Sequence, residues 1–191
     1  TPAAPTEIIP PSQPAVSPPR QVVLPPIAGK ESDLLLSQGS WQVRKTQHFT
    51  VYHQDTAQGK AITNRAEYHL EKIVDDLRAR KTHDRTHKYT VVVVKERPQW
   101  EEFLKQLKIE PELTGGFATG VVKREIFLSS SSIPYLTLAF PHELTHILLD
   151  EMARGKKLPL WFDEGFANYE GAIIGIEEEL LTEALRNGTY I

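Results

Sequence analysis

The segment His142-Glu143-Leu144-Thr145-His146 contains the residue types from which a catalytic metal centre can be built. Residues four apart on an α-helix lie on one face, one turn apart, so both imidazoles can reach a single ion. Zinc binds histidine nitrogens at about 2.0–2.1 Å, and the glutamate next to the first histidine can take a proton from a water on the ion. The spacing therefore predicts a helix that presents two zinc ligands, His142 and His146, and a general base, Glu143.

The surroundings of this segment favour a metal site over an exposed polar helix face. The bare HExxH pattern also occurs on helices that only carry a polar surface. Here it lies in an apolar stretch, residues 136–149, where two imidazoles and a carboxylate would be costly to bury without a partner such as a metal ion. The chain also contains no cysteine, so any metal must be held by histidine and carboxylate, and a thiolate zinc finger is excluded.

Residues 141–170 resemble the gluzincin family of zinc metallopeptidases. The resemblance rests on HELTH followed by PLWFDEGFANYE, which is similar to the WLxEGxA signature of the aminopeptidase-like members. It implies that His142, His146 and Glu164 bind Zn²⁺ and that Glu143 is the catalytic base and acid. It also implies a zincin-like, thermolysin-type catalytic domain.

Two further residues near Glu164 have alternative interpretations. Asp163 is a rival to Glu164 as the third ligand. A helix turns by about 100° per residue, so the two side chains point in different directions, and we rank Asp163 behind Glu164. Asn168 lies one turn after Glu164 and could orient a ligand from outside the coordination sphere, or it could be an ordinary polar helix residue. Two neutral imidazoles and one carboxylate leave a coordination position for water, which is the arrangement of a catalytic site.

The resemblance also indicates a place for the substrate. Related peptidases bind the substrate main chain along an edge strand that precedes the active-site helix, and the segment 115–120 is similarly placed. Its small residues would let a substrate backbone approach closely, which makes Gly116, Phe117 and Ala118 candidate substrate-binding residues. The alternative is a glycine-rich hairpin without substrate contact.

The periodicity of the chain predicts an α+β fold with a zincin-like domain, in which a small mixed sheet is followed by the active-site helix and the glutamate-bearing helix. Pro141 either kinks a helix that begins near Tyr135 or starts the helix itself. The predicted strands are 48–53, 89–94, 115–122 and 125–129, and the predicted helices are 61–80, a short one from Pro98, 135–153, 162–174 and 176–186.

The domain organisation is expected to be a tail and one domain. Residues 1–38 are predicted to be a disordered proline-rich linker or stalk, because nine of the 14 prolines lie in the first thirty residues. Residues 39–191 are predicted to be the zincin-like catalytic domain, expected to lack a full C-terminal helical subdomain. A proline stalk suits an enzyme tethered to a bacterial envelope, so we expect an extracytoplasmic location: periplasm, cell surface or secreted.

Composition and charge restrict the partners. The net charge of −3 provides no basic surface for nucleic acid, and no apolar run is long enough for a transmembrane segment.

His83 and His87 are also four residues apart, but they lie in a wholly polar stretch. This favours a solvated loop or a frayed helix end over a second metal site.

The leading hypothesis is a zinc-dependent peptidase that acts on a peptide or protein substrate. The alternative is a catalytically weak or inactive metal-binding module of the cell envelope that recognises peptides. The residue that stabilises the oxyanion is left open, because Tyr169 and Tyr190, the tyrosines after Glu164, have no assignable role.

Overall fold

The structure is a computed structural model that describes residues 29–110, 115–129, 132–154 and 156–171. Most of the predicted proline-rich linker and the predicted helix 176–186 lie outside the described residues. The elements in chain order are α1 (Glu31–Leu36), β1 (Gln42–Lys45), β2 (Phe49–His53), α2 (Thr56–Asp76), β3 (Tyr89–Val94), α3 (Arg97–Gln106), β4 (Gly116–Ala118), β5 (Glu125–Ser129), α4 (Ile133–Ala153) and α5 (Leu160–Glu170).

The five strands form one mixed sheet in the order β1-β2-β3-β5-β4. The three central strands are parallel, with Val91 of β3 opposite Val51 of β2 on one side and Ile126 of β5 on the other. The edge strands β1 and β4 are antiparallel to their neighbours. The predicted α+β class and mixed sheet are confirmed.

The central strand β3 is buried on both faces, as its continuous β-branched sequence predicts. Its alternate residues belong to two different apolar clusters. Val91 and Val93 face α2 and α4. Val92 and Val94 face α3 and Leu35 of α1. The helix that carries the HExxH segment is therefore packed directly against one face of the sheet.

Helix α2 begins five residues before its predicted start at residue 61. Asp55 precedes the helix and its carboxylate accepts hydrogen bonds from the amides of Ala57 and Gln58, at 2.9 and 3.2 Å. Such a cap satisfies amides that have no partner within the helix. The sequence shows the apolar repeat only from residue 61, whereas the Asp55 cap starts the helix at Thr56.

Residues 31–36 fall within the stretch assigned to the linker, but they form α1. Leu35 is fully buried in the α3 side of the core. The Ser32 hydroxyl and the Glu31 amide both donate hydrogen bonds to the carboxylate of Glu125, the amide at 3.0 Å. One apolar side chain and one buried carboxylate thus attach this segment to the domain.

Among the described residues, we find no helix with both the length and the apolar character needed to cross a membrane.

Candidate metal centre

Helix α4 places the two histidines of the HExxH segment side by side on one face. The helix starts after Ser132, whose hydroxyl caps the Tyr135 amide, and it continues without interruption to Ala153. Pro141 lies inside the helix, so His142 is in the third turn and not at the helix start. The Pro141 carbonyl accepts a hydrogen bond from the Thr145 hydroxyl at 2.8 Å.

The ring nitrogens of His142 and His146 converge with the carboxylate of Glu164, which α5 supplies. The two Nε2 atoms are 3.2 Å apart, and Glu164 Oε2 is 3.8 Å from His142 Nε2 and 3.9 Å from His146 Nε2. A point equidistant from these three atoms lies about 2.1 Å from each, which is the length of zinc–nitrogen and zinc–oxygen bonds. The three residues could therefore hold one divalent metal ion.

Asp163, the rival ligand, has a different place. Its Oδ1 lies 2.9 Å from Nδ1 of His146, on the side of the ring away from His142. Because a carboxylate accepts, Nδ1 must be the donor, which leaves the lone pair on Nε2 for an ion. The carboxylate partner of a ligating histidine fixes its tautomer and ring orientation. The sequence suggested Asp163 only as a rival ligand, and its contact with His146 was not predicted.

The electrostatic environment of His142 suits a neutral ligand. Burial lowers the pKa of His142 to about 4, and the neighbouring His146 acts in the same direction. Hydrogen bonds with the Ala167 backbone and the Asn168 side chain act in the opposite direction but are weaker. Asn168 is buried and contacts the ring of a candidate ligand, which is where an orienting residue must be.

The environment of His146 differs. Burial alone would lower its pKa, but the Asp163 hydrogen bond and the negative charges of Glu143, Asp163 and Glu164 outweigh it, so the pKa of His146 is raised. A site that raises the affinity of an imidazole for a proton also attracts a cation.

Glu143 is buried next to the three candidate ligands, with 6% of its surface exposed. Burial raises the pKa of Glu143 to about 7, the Glu164 charge adds to the shift, and His146 opposes it. A carboxyl whose pKa lies near neutrality can both accept and release a proton near neutral pH. These are the properties required of a general base and acid.

The edge strand β4 passes close to Glu143. A Cβ atom added to Gly116 would lie 3.3 Å from Glu143 Oε1 and 2.9 Å from Leu128 Cδ2, so only glycine fits here without displacement. The ring of Phe117 points into the core and stacks on Phe127 with centroids 4.8 Å apart. Of the three candidate substrate-binding residues, Phe117 therefore contributes its side chain to the core, while Gly116 brings the strand to the carboxylate.

Helix α5 is held in place at its C-terminal end. Lys72 of α2 donates to the buried carboxylate of Glu170 at 2.8 Å. A Cβ added to Gly171 would lie 3.0 Å from the Leu138 carbonyl oxygen and 3.2 Å from His142 Cβ. This close approach sets the distance between the helix that carries Glu164 and the helix that carries the histidines.

One tyrosine near the site was not considered from the sequence. Burial and the charge of Glu143 raise the pKa of Tyr135, which is in the first turn of α4. Tyr169 is half exposed, with the Lys72 ammonium 5.1 Å from its ring centroid, and Tyr190 lies outside the described residues. The helical separation of seven residues between Tyr135 and His142, two turns, was the available signal.

Comparison of the chain with models of known protein families and with curated proteins found no match.

Proposed function

We propose that this protein is a zinc-dependent peptidase of the gluzincin type. The observation that carries the proposal is the convergence of His142 Nε2, His146 Nε2 and a Glu164 oxygen at separations of 3.2–3.9 Å. Three protein ligands and a position for water are the composition of a catalytic zinc site. The buried Glu143 lies on the same helix, between the two histidines in sequence.

Each residue of the site has a definite task in this proposal. Zinc, when bound, would lower the pKa of a coordinated water and polarise the substrate carbonyl. Glu143 would accept a proton from the attacking water and pass it to the leaving amine, a role that its buried position beside the candidate ligands supports. Asp163 would hold the His146 imidazole in orientation through Nδ1, and Asn168, which interacts with His142, would support the other ring.

The substrate in this proposal lies along β4. The strand is at the sheet edge, and its Gly116 lies against Glu143, so a peptide beside it would have its scissile carbonyl near the carboxylate and the ion. Strand addition recognises main chain, which predicts tolerance of varied side chains next to the cleaved bond.

A peptide mixture incubated with zinc-loaded protein and analysed by mass spectrometry tests the proposal. We expect new peptide termini with the parent protein, and none with Glu143→Gln or after removal of zinc by a chelator. Glu143→Gln must retain zinc, because Glu143 is not a ligand. The matched control is Glu101→Gln, which changes an exposed carboxylate paired with Arg97 and should leave cleavage unchanged.

Two results would contradict the proposal in different ways. Zinc-loaded protein that cuts no peptide but binds peptides would be a metal-binding recognition module, the alternative given by the sequence. Protein that takes up no zinc through His142, His146 and Glu164 would have neither function.

A further inference from the structure

A second group of possible metal ligands lies at the C-terminal end of α4. His83 and His87 belong to the connection between α2 and β3, and Glu151 is on the last turn of α4. His83 Nδ1 is 3.2 Å from Glu151 Oε2, and His87 Nδ1 is 3.0 Å from Glu151 Oε1. The His83 side chain is only 6% exposed, so the solvated loop expected from the polar sequence is wrong for this residue.

The separations suit a tetrahedral ion. Ligand atoms of His83, His87 and Glu151 all lie within 4.8 Å of one another. The edge of a zinc tetrahedron with bonds of about 2.0–2.1 Å is about 3.3 Å, close to the 3.2 Å between His83 Nδ1 and Glu151 Oε2. His87 Nδ1 lies beside the other carboxylate oxygen, so its ring or the Glu151 carboxylate must turn to place one ion among the three residues.

Metal binding at Nδ1 requires each imidazole proton to move to Nε2. In the metal-free cluster each Nδ1 donates to Glu151, and a metal at Nδ1 requires the proton on Nε2 instead. For His87 that position faces Asp84, whose Oδ2 is 3.4 Å from Nε2 and can accept. The exchange of tautomer leaves each imidazole neutral, so no charge is lost from the site.

The Arg124 guanidinium competes with a metal ion for Glu151 and His87. Its Nε donates to Glu151 Oε1 at 2.8 Å, and its second nitrogen lies 3.0 Å from His87 Nε2. Binding of an ion would keep the first contact, which leaves Oε2 as the ligand atom, and break the second. The guanidinium charge therefore weakens the affinity for a cation without occupying all of its ligands.

The cluster is accessible from a cavity of about 350 Å³. Its walls include His83, His87 and Glu151 together with Leu148 and Met152. This volume can admit an ion with bound water, which a site with three protein ligands needs to complete its coordination.

We infer that His83, His87 and Glu151 form a second site for zinc or a similar divalent cation, independent of the proposed catalytic centre. Glu151 lies five residues after His146, about 7.5 Å along the helix axis and about 140° around it, so the two groups face different sides of α4 and cannot share one ion. The inferred ion joins the connection after α2 to the end of α4. Its role in this inference is structural, because it would tie two segments that are distant in the chain.

Zinc titration of metal-free protein against a chromophoric chelator tests this inference. The proteins are the parent chain, His83→Gln/His87→Gln, His142→Gln/His146→Gln, and the quadruple variant. We expect two, one, one and no bound zinc ions, respectively. Two ions in the parent chain and one in each double variant would assign one ion to each centre.

The same titration separates failure of the inference from failure of the proposed function. If the parent chain binds one ion that only His142→Gln/His146→Gln removes, the second site does not exist and the catalytic proposal stands. If the single ion disappears only with His83→Gln/His87→Gln, the second site stands and the catalytic proposal falls.

Two further measurements do not depend on the folding of the His83 and His87 variants. Imidazole ¹⁵N spectra of His142→Gln/His146→Gln should show two rings changing to the Nε2–H tautomer when zinc is added; unchanged spectra would overturn the inference. Arg124→Gln should tighten the second site by at least about tenfold, because it removes the competing charge. Arg80→Gln, at an exposed position of the same connection, should not change it.

Discussion

Nδ1 of His146 donates a hydrogen bond to Oδ1 of Asp163 at 2.9 Å, and Asp163 is the sequence neighbour of the proposed ligand Glu164. Helix α5 thus supplies both a carboxylate for the ion and a carboxylate for a histidine that would bind it. The 100° turn between neighbouring helix residues allows this division, because the two side chains reach opposite sides of the same imidazole.

Replacement of Asp163 should weaken zinc binding although Asp163 is not a ligand. We expect Asp163→Ala to lower zinc affinity by about 10–100-fold, the usual effect of losing an outer partner of a ligating histidine. Asp163→Asn should lower zinc affinity less than Asp163→Ala does, because the amide oxygen can still accept a hydrogen bond from Nδ1. Competition with a chelator measures the affinity. Asp33→Asn, at an exposed position of α1, is the control, and an equal loss in both would contradict the role.

The contact of Gly171 with α4 should be sensitive to one added methyl group. Gly171→Ala is expected to cost about 1–3 kcal/mol of unfolding free energy, because the new Cβ would meet the Leu138 carbonyl and His142. Zinc affinity should fall as well, since α5 must move away from the histidines.

Gly165→Ala is the matched control for this substitution. Gly165 is within α5, next to Glu164, whereas Gly171 directly follows that helix. A Cβ added to Gly165 would have no neighbour within 4 Å. We expect a neutral or slightly stabilising effect, up to about 1 kcal/mol, because alanine favours a helix over glycine. Urea denaturation measures both variants, and similar results for the two would contradict the proposed close packing.

The ion pair between Lys72 and Glu170 should stabilise the attachment of α5. The Glu170 side chain is fully buried and Lys72 is 34% exposed. Lys72→Met would leave the carboxylate without its cation and should cost on the order of 2–3 kcal/mol, below the loss for a pair buried on both sides. The double variant Lys72→Met/Glu170→Gln should recover part of this loss. Strictly additive losses in a double-mutant cycle would show that the pair does not interact.

Glu125 should make stability depend on pH. Burial raises its pKa to about 7, a shift that the charge of Glu31 reinforces and the Ser32 hydrogen bond opposes. The folded protein therefore binds a proton that the unfolded chain, with a glutamate pKa of about 4.5, releases earlier. The contribution of Glu125 to unfolding free energy falls as pH rises from about 4.5 to about 7, by on the order of 2–3 kcal/mol.

Glu125→Gln tests this pH dependence, because a neutral amide cannot titrate. The metal-free variant should lose less stability than the parent metal-free protein between pH 4.5 and 7, and it should match or exceed the parent above pH 7. Denaturant unfolding at several pH values measures the difference. Parallel curves for the two proteins would show that Glu125 does not titrate in this range.

Some features of this protein follow from the sequence because they are local. The spacing of His142 and His146 puts both imidazoles on one face of any helix that contains them, whatever the surrounding fold. The run of β-branched residues at 89–94 predicts a central strand for a similar reason, since such side chains fit a sheet covered on both faces. Both statements depend only on the periods of a helix and a strand.

Other features depend on pairs of residues far apart in the chain, which no local period reveals. The polar stretch around His83 gave no sign that Glu151, 64 residues after His87, would lie between the two histidines. In the same way, α1 joins the domain because Ser32 reaches Glu125, 93 residues later. Tertiary packing decides these contacts, because burying a polar group is tolerable only where the fold brings it a partner.

The candidate metal centre combines both kinds of information. The sequence alone determined that His142, Glu143 and His146 lie together on one helix, and the family resemblance suggested Glu164. Only the packing of α5 against α4 at Gly171, together with the ion pair of Glu170 with Lys72 of α2, decided that Glu164 faces the imidazoles and that Asp163 lies at Nδ1 of His146. The reason is geometric: a helix defines the directions of its own side chains, but its position relative to another helix is set by the contacts between them.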